Sequence, residues 1–266
     1  MNISTDYVWK NAKTQKNHFL LPNSLRALLV RHSGSGKSTI MNNLLFQSDA
    51  LDYDRLYVYG NSLHQKEFKI LKLAFEKHLS KSQIRFIFSN QDLIEKHGGP
   101  LKVIAEYDDL ANGTIEASFF EKCADVPDPS DLDDSKNNLL LFDDCMNDMD
   151  QGKMGAYFSR GRHSNTDVFY LTQSYFKIPR HAIRLNTNFI ILFPQGEKDL
   201  SHIYSDHVSC DDIQYETFVN EFCCPSWNAG HHSFIVLDLT RTKFTGKYRR
   251  GFDNFWFPKT NGVTSQ

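Results

Sequence analysis

Along the chain, short apolar runs rich in β-branched or aromatic residues alternate with longer stretches at helical spacing, the pattern of a mostly parallel sheet covered by helices. Leu25 to Val30 is the first such run, and Lys37 to Phe46 follows at helical spacing without Gly or Pro. Arg55 to Tyr59 predicts a second strand, Glu67 to Leu79 an amphipathic helix, and Ile84 to Phe88 another strand. Leu139 to Phe142 carries no polar residue, as expected of a strand buried on both faces. Asp167 to Thr172, Thr187 to Phe193 and Ser233 to Leu239 read as further strands. Residues 126–138, rich in Pro, Asp and Ser, predict a solvated connection without chemistry, and the polar residues after Trp256 a frayed tail. No internal repeat is present. The expected organisation is an extension over residues 1–20, one α/β domain over 21–256, and a tail over 257–266.

Composition narrows the class. With 266 residues, 40% hydrophobic and 23% charged, the chain is long enough for one full core and is neither disordered nor fibrous. Five cysteines without a CxxC pair point to a reducing compartment rather than a disulfide framework. No apolar run reaches bilayer-spanning length, and residues 1–16 lack an apolar signal core. The expectation is an intracellular, soluble protein of cytoplasm, nucleus or virion, with no membrane partner. A net charge of -2 gives no global attraction for nucleic acid, so any such partner must be held by local patches or by several subunits together.

Ser33-Gly34-Ser35-Gly36-Lys37-Ser38-Thr39 lies between the first strand and the first helix. Glycines there let successive backbone N–H groups turn toward phosphates, a lysine neutralises phosphate charge, and a Ser/Thr hydroxyl reaches Mg²⁺. Lys37 is then the phosphate lysine and Ser38 the magnesium-side hydroxyl, with Thr39 adding a second hydroxyl at the positive end of the helix dipole. One position departs from GxxxxGK[ST]: Arg31 stands where the first glycine is expected. A long side chain there must point to solvent or lie beside the nucleotide. The bland alternative is a Ser/Gly-rich turn that only resembles a phosphate loop.

Nucleotide hydrolysis also needs acids, one for Mg²⁺ and one for the attacking water. Leu139-Leu140-Leu141-Phe142-Asp143-Asp144 ends a buried strand in two of them, at the sheet edge where parallel α/β proteins bind ligands. Asp143 is assigned to Mg²⁺ and Asp144 to the water; alternatively these acids cap a helix or face solvent. Gln173 follows the strand Asp167 to Thr172, from which its amide can reach a γ-phosphate or the lytic water, or simply close the strand. Ser159-Arg160-Gly161-Arg162-His163 supplies two guanidinium groups. They suit a transferring phosphoryl group in cis or from an adjacent subunit, and equally DNA phosphate or surface acids.

The phosphate loop, the Asp-Asp strand, Arg160-Gly161-Arg162-His163 and Tyr170-Leu171-Thr172-Gln173-Ser174-Tyr175-Phe176-Lys177 together resemble the poxvirus-type genome-packaging ATPases of the FtsK-HerA superfamily, found also in Polinton-like elements. The likeness runs from about Leu25 to Phe252 and includes Ile203 to Val208 and Tyr248 to Asp253. It implies a RecA-like P-loop NTPase fold with an extra strand between the phosphate-loop and carboxylate strands. It further implies ATP and Mg²⁺ as cofactors and a homo-oligomeric ring that moves double-stranded DNA into a capsid, working with a capsid or portal-like component. By matching position, Arg160 or Arg162 acts in trans and Gln173 is the sensor. Arg31 departs from the family pattern too. A P-loop kinase acting on a small acceptor and a degenerate nucleotide-binding scaffold are the competing readings. Cys210, Cys223, Cys224, His231 and His232 match no zinc-site spacing, and the basic, aromatic stretch Arg241 to Arg250 reads as a terminal strand pair.

Overall fold

A computed structural model describes residues 15–31, 37–107, 111–146, 148, 151–230 and 232–259. The strands are β1 (Arg26–Val30), β2 (Arg55–Gly60), β3 (Glu116–Phe120), β4 (Asn138–Asp143), β5 (Thr166–Thr172), β6 (Phe189–Leu192), β7 (Ile235–Asp238), β8 (Tyr248–Arg250) and β9 (Asn254–Trp256). They form one sheet in the order β3-β2-β4-β5-β1-β6-β7-β8-β9. Pairing is parallel from β3 through β6 and antiparallel from β6 through β9. β5 therefore lies between β1 and the carboxylate strand β4, the extra-strand arrangement that the family resemblance implies.

Alternation of side chains across β4 divides the core in two. Leu139 and Leu141 pack on one face with Leu29, Met41, Leu44 and Val58, while Leu140 and Phe142 pack on the other with Tyr157, Phe158 and Tyr170. The first face is covered by α1 (Lys37–Phe46), α2 (Lys66–Glu76), α3 (Lys81–Ser89), α4 (Gln91–His97) and α5 (Pro100–Ala105); the second by α6 (Gln151–Arg160) and α7 (Glu197–Ile203). Every residue of β5 is buried, so each large apolar side chain there contributes about 2 kcal/mol through removal from water. Burial on both faces holds the sheet, and with it the edge where β1, β4 and β5 end.

Residues 84–88 are helical, not the predicted strand. Ser80 and Gln83 form a capping box, the Gln83 side chain accepting from the Ser80 N–H at 2.9 Å and Ser80 Oγ from the Gln83 N–H at 3.4 Å. Ile84 and Ile87, three apart, then face the core, and Phe86 is left 54% exposed. The connection over residues 126–138 is docked rather than fully solvated. Val126 is buried, Lys153 Nζ donates to its carbonyl at 2.6 Å, and Tyr157 Oη donates to the Pro127 carbonyl at 2.7 Å. Among the described residues, no helix is long and apolar enough to cross a membrane.

Candidate active site

β1 and α1 are joined across the predicted phosphate loop. Ser33, Gly34, Ser35 and Gly36 lie outside the described residues; Lys37 and Ser38 open α1, and Thr39 follows them with its side chain exposed. The order strand, loop, helix at the C-terminal edge of a parallel strand places the positive end of α1 where an anion is best held.

Arg31 does not point to solvent, the first of the two placements expected of a long side chain here. It is only 4% exposed, and its guanidinium carbon lies 3.9 Å from the centroid of the Phe193 ring, with Nη2 3.3 Å from His232 Nδ1. Arg31, Phe193 and Phe234 all lie on the α1 side, Phe193 and Phe234 with ring centroids 5.5 Å apart. The Arg31 N–H donates to the Thr172 carbonyl at 2.9 Å, continuing the β1–β5 ladder. Its φ is not positive, so a side chain is accommodated without the left-handed backbone that would require glycine. Burial lowers the pKa of its guanidinium, and the Phe193 ring compensates part of the desolvation.

The carboxylates sit two strands away, about 10 Å across the sheet. Leu139 and Leu141 face α1, so alternation directs Asp143 to that same side. Asp143 pairs in register with Gly60 on β2 and Leu171 on β5. Gly60 allows this close approach: a Cβ built there would meet the Asp143 carbonyl oxygen at 2.9 Å and Asp143 Cβ at 3.2 Å. Asp144 turns the chain away from the sheet at φ 54°, a left-handed conformation that Asp tolerates better than most residues. Its N–H donates to the Leu171 carbonyl at 3.2 Å.

Gln173, one residue beyond β5, donates from Nε2 to Asp144 Oδ1 at 3.2 Å. Asp144, assigned to the water, and Gln173, assigned to the γ-phosphate or the lytic water, are 29 positions apart in sequence and in direct contact. A wider polar network that sequence reading missed supports them. Asn61, just past β2, donates to the Asp144 carbonyl at 3.3 Å and to Asp148 Oδ1 at 2.8 Å, while Tyr59 Oη donates to Asp148 Oδ2 at 2.7 Å. Burial and the Asp148 carboxylate push the Tyr59 phenol up, so it remains a proton donor at physiological pH. Gln151, the first residue of α6, donates to the carbonyls of Cys145 at 2.7 Å and Asp148 at 3.1 Å. The available signal was the end of β2, Tyr59-Gly60-Asn61, which closes at the same sheet edge as Asp143-Asp144.

Arg160 and Arg162 are not brought to this edge. α6 returns antiparallel to β4, so the Arg-Gly-Arg segment stands before Thr166, at the opposite end of β5. Six residue steps of strand separate the two ends, roughly 20 Å. Both arginines are exposed, and the charge of Arg162 adds to burial in lowering the pKa of Arg26 at the start of β1. An arginine at that opposite end lies too far away to reach the acids of its own subunit.

No protein-family model matches the chain, and no curated protein matches it. Among solved structures it is similar to the genome packaging NTPase B204 from Sulfolobus turreted icosahedral virus 2 in complex with AMPPCP, at 10% identity over 83% of this chain and 95% of that one, with a TM-score of 0.47. It is also similar to B204, the DNA-packaging ATPase from Sulfolobus turreted icosahedral virus, at 12% identity over 80% and 92% of the two chains, with a TM-score of 0.41. VirB4 of Thermoanaerobacter pseudethanolicus is similar at 12% identity over 81% and 87%, with a TM-score of 0.42.

Proposed function

We propose that the chain is an ATP-hydrolysing P-loop motor of the genome-packaging type, acting as a ring of identical subunits on double-stranded DNA. The observation that carries the hydrolytic part is the Gln173–Asp144 hydrogen bond at the edge where β1 leads into α1. A sensor amide held on the water-activating carboxylate lets both groups act on the attacking water, with the γ-phosphate also within the amide's range. Residues Ser33 to Thr39 bind the phosphates, with Lys37 as counter-charge.

The donors available fit Mg²⁺, a hard cation that takes oxygen ligands. Asp143 lies on the α1 side of the sheet, and Ser38 is the hydroxyl residue at the start of α1. Ser38 and Asp143 would hold the ion, which when bound neutralises charge on the phosphate oxygens. Asp144 then accepts the proton of the attacking water while Gln173 orients it. Arg160 or Arg162 works from a neighbouring subunit, since roughly 20 Å of strand separates them from their own Asp144. Double-stranded DNA and a capsid or portal-like component are the partners implied by the motif resemblance.

The test of the ring is a mixing experiment. Lys37→Ala subunits lack the phosphate lysine, and Arg162→Ala subunits bind ATP but do not turn over. Mixed rings recover activity, because some interfaces combine an intact loop with an intact arginine. If no ratio restores activity, and a parallel Arg160→Ala series behaves the same way, the trans arrangement is wrong. Transfer of phosphate to a small acceptor would instead support a kinase, and retained binding without turnover in assembled rings a scaffold.

A further inference from the structure

The backbone just beyond Gln173 is held by side chains from outside the carboxylate cluster. Asp199, the third residue of α7, is 8% exposed and places one carboxylate oxygen on two donors of this segment. Oδ1 accepts from the Phe176 N–H at 2.7 Å and from Ser174 Oγ at 3.0 Å. Thr172 Oγ1 accepts from the Ser174 N–H at 3.4 Å, closing the turn that presents Gln173. Tyr175, between the two Asp199 contacts, points to the second face of the sheet, its Oη lying 3.0 Å from Asp206 Oδ2 and 2.7 Å from His207 Nε2.

We propose that Asp199 is a positioning residue for hydrolysis: it clasps Ser174 and Phe176 so that Gln173 stays on Asp144. This rests on the hydrolytic reading above. A plain helix-stabilising role would have the carboxylate bonded within the first turn of α7, whereas its hydrogen bonds run to the segment after β5. Bonds to an ionised acceptor are the stronger kind, and truncation strands the Phe176 N–H, which has no other acceptor among the described residues. The Gln173–Asp144 bond, at 3.2 Å, is at the long end of the normal range, so a small drift of the turn breaks it. Displacement by about 1 Å of a group that orients a reactant costs up to about a hundred-fold in rate.

The test is a cycle of variants in the full-length protein, read as kcat and KM for ATP, with a melting temperature for each. Asp199→Ala is expected to lower kcat by about ten-fold or more while KM stays within about two-fold, because the loss falls on orientation and not on ATP binding. Asp199→Asn, which keeps an acceptor oxygen, recovers most of that activity, and Ser174→Ala, which removes one of the two bonds, falls between. In a Gln173→Ala background, Asp199→Ala changes kcat by less than about two-fold, since Asp199 has nothing left to position. Equal losses in both backgrounds, or a rise in KM at unchanged kcat, overturn the proposal while leaving the ATPase reading standing. Should Asp199→Ala fail to fold, Asp199→Asn and Ser174→Ala carry the same cycle. No turnover by the wild-type ring removes the ATPase reading and this role together.

Discussion

Gly60→Ala separates placement of the proposed catalytic acids from their chemistry, because it removes no ionisable group. Gly60 is the last residue of β2, pairs with Asp143, and has no positive φ, so alanine suits its backbone. The added Cβ meets the Asp143 carbonyl oxygen at 2.9 Å, where ordinary contact begins at 3.4 Å. The obstacle is backbone in a strand buried on both faces, not a side-chain tip that can swing away. β2 and β4 must part locally by about 0.5 Å, or Asp143 must move by that much. Overpacking of this size costs about 1–3 kcal/mol of stability. If a 1 Å misplacement costs about a hundred-fold in rate, half that displacement costs about ten-fold. The assay is steady-state phosphate release with saturating ATP, beside a denaturant titration of the same preparation. A variant that stays folded, loses no more than about 1–3 kcal/mol in the denaturant titration and turns over about ten times more slowly agrees with the geometry. Wild-type turnover would refute the argument that the Gly60–Asp143 contact sets the acid's position.

Other outcomes follow from the same structure. Arg31→Ala should cost about 1–2 kcal/mol through loss of the Phe193 contact while ATP affinity stays within about three-fold; a large affinity loss at unchanged stability would place the side chain on the nucleotide instead. Stability should fall as pH drops from 6.5 toward 4. Burial lowers the His207 pKa from 6.5 to about 4, with Lys247 and Arg184 acting in the same direction and Asp206 opposing. The unfolded chain therefore binds a proton in this window that the folded chain refuses, a difference on the order of 3 kcal/mol. Urea titrations should flatten over this range in His207→Gln, and an unchanged slope would assign the effect to other groups. Asp144→Asn should retain ATP binding and lose turnover by about a hundred-fold or more, as expected for removal of a general base; a loss confined to KM would contradict that role.

The buried parallel strands were legible because a strand covered on both faces leaves an uninterrupted apolar run, as at Leu139 to Phe142 and Val168 to Leu171. Asp143, Asp144 and Gln173 were legible because they end such runs at one edge. Ile84 to Phe88 misled because a short apolar run has no unique period, and the Ser80–Gln83 capping box, which decides it, lies upstream. β3 is half-exposed and begins with Glu116, so it gives no core-strand signal. Asn61 and Asp148 escaped notice because their link to Asp144 passes through β2, and strand register is a property of the fold rather than of local sequence. The orientation of Arg31 was equally hidden: nothing near it in sequence announces Phe193 or His232 as its partners. The distance of Arg160 and Arg162 from the acids does follow from counting, since a helix that returns along the sheet must deliver them to the far edge.

The proposed motor requires ATP hydrolysis at this edge to be coupled to double-stranded DNA. The most direct measurement is phosphate release by the assembled protein with and without linear duplex DNA, with Lys37→Ala as the control. ATP hydrolysis should rise on addition of duplex DNA and be absent in Lys37→Ala under both conditions. Phosphate release that ignores duplex DNA, or that appears only as transfer to a small acceptor, would contradict it.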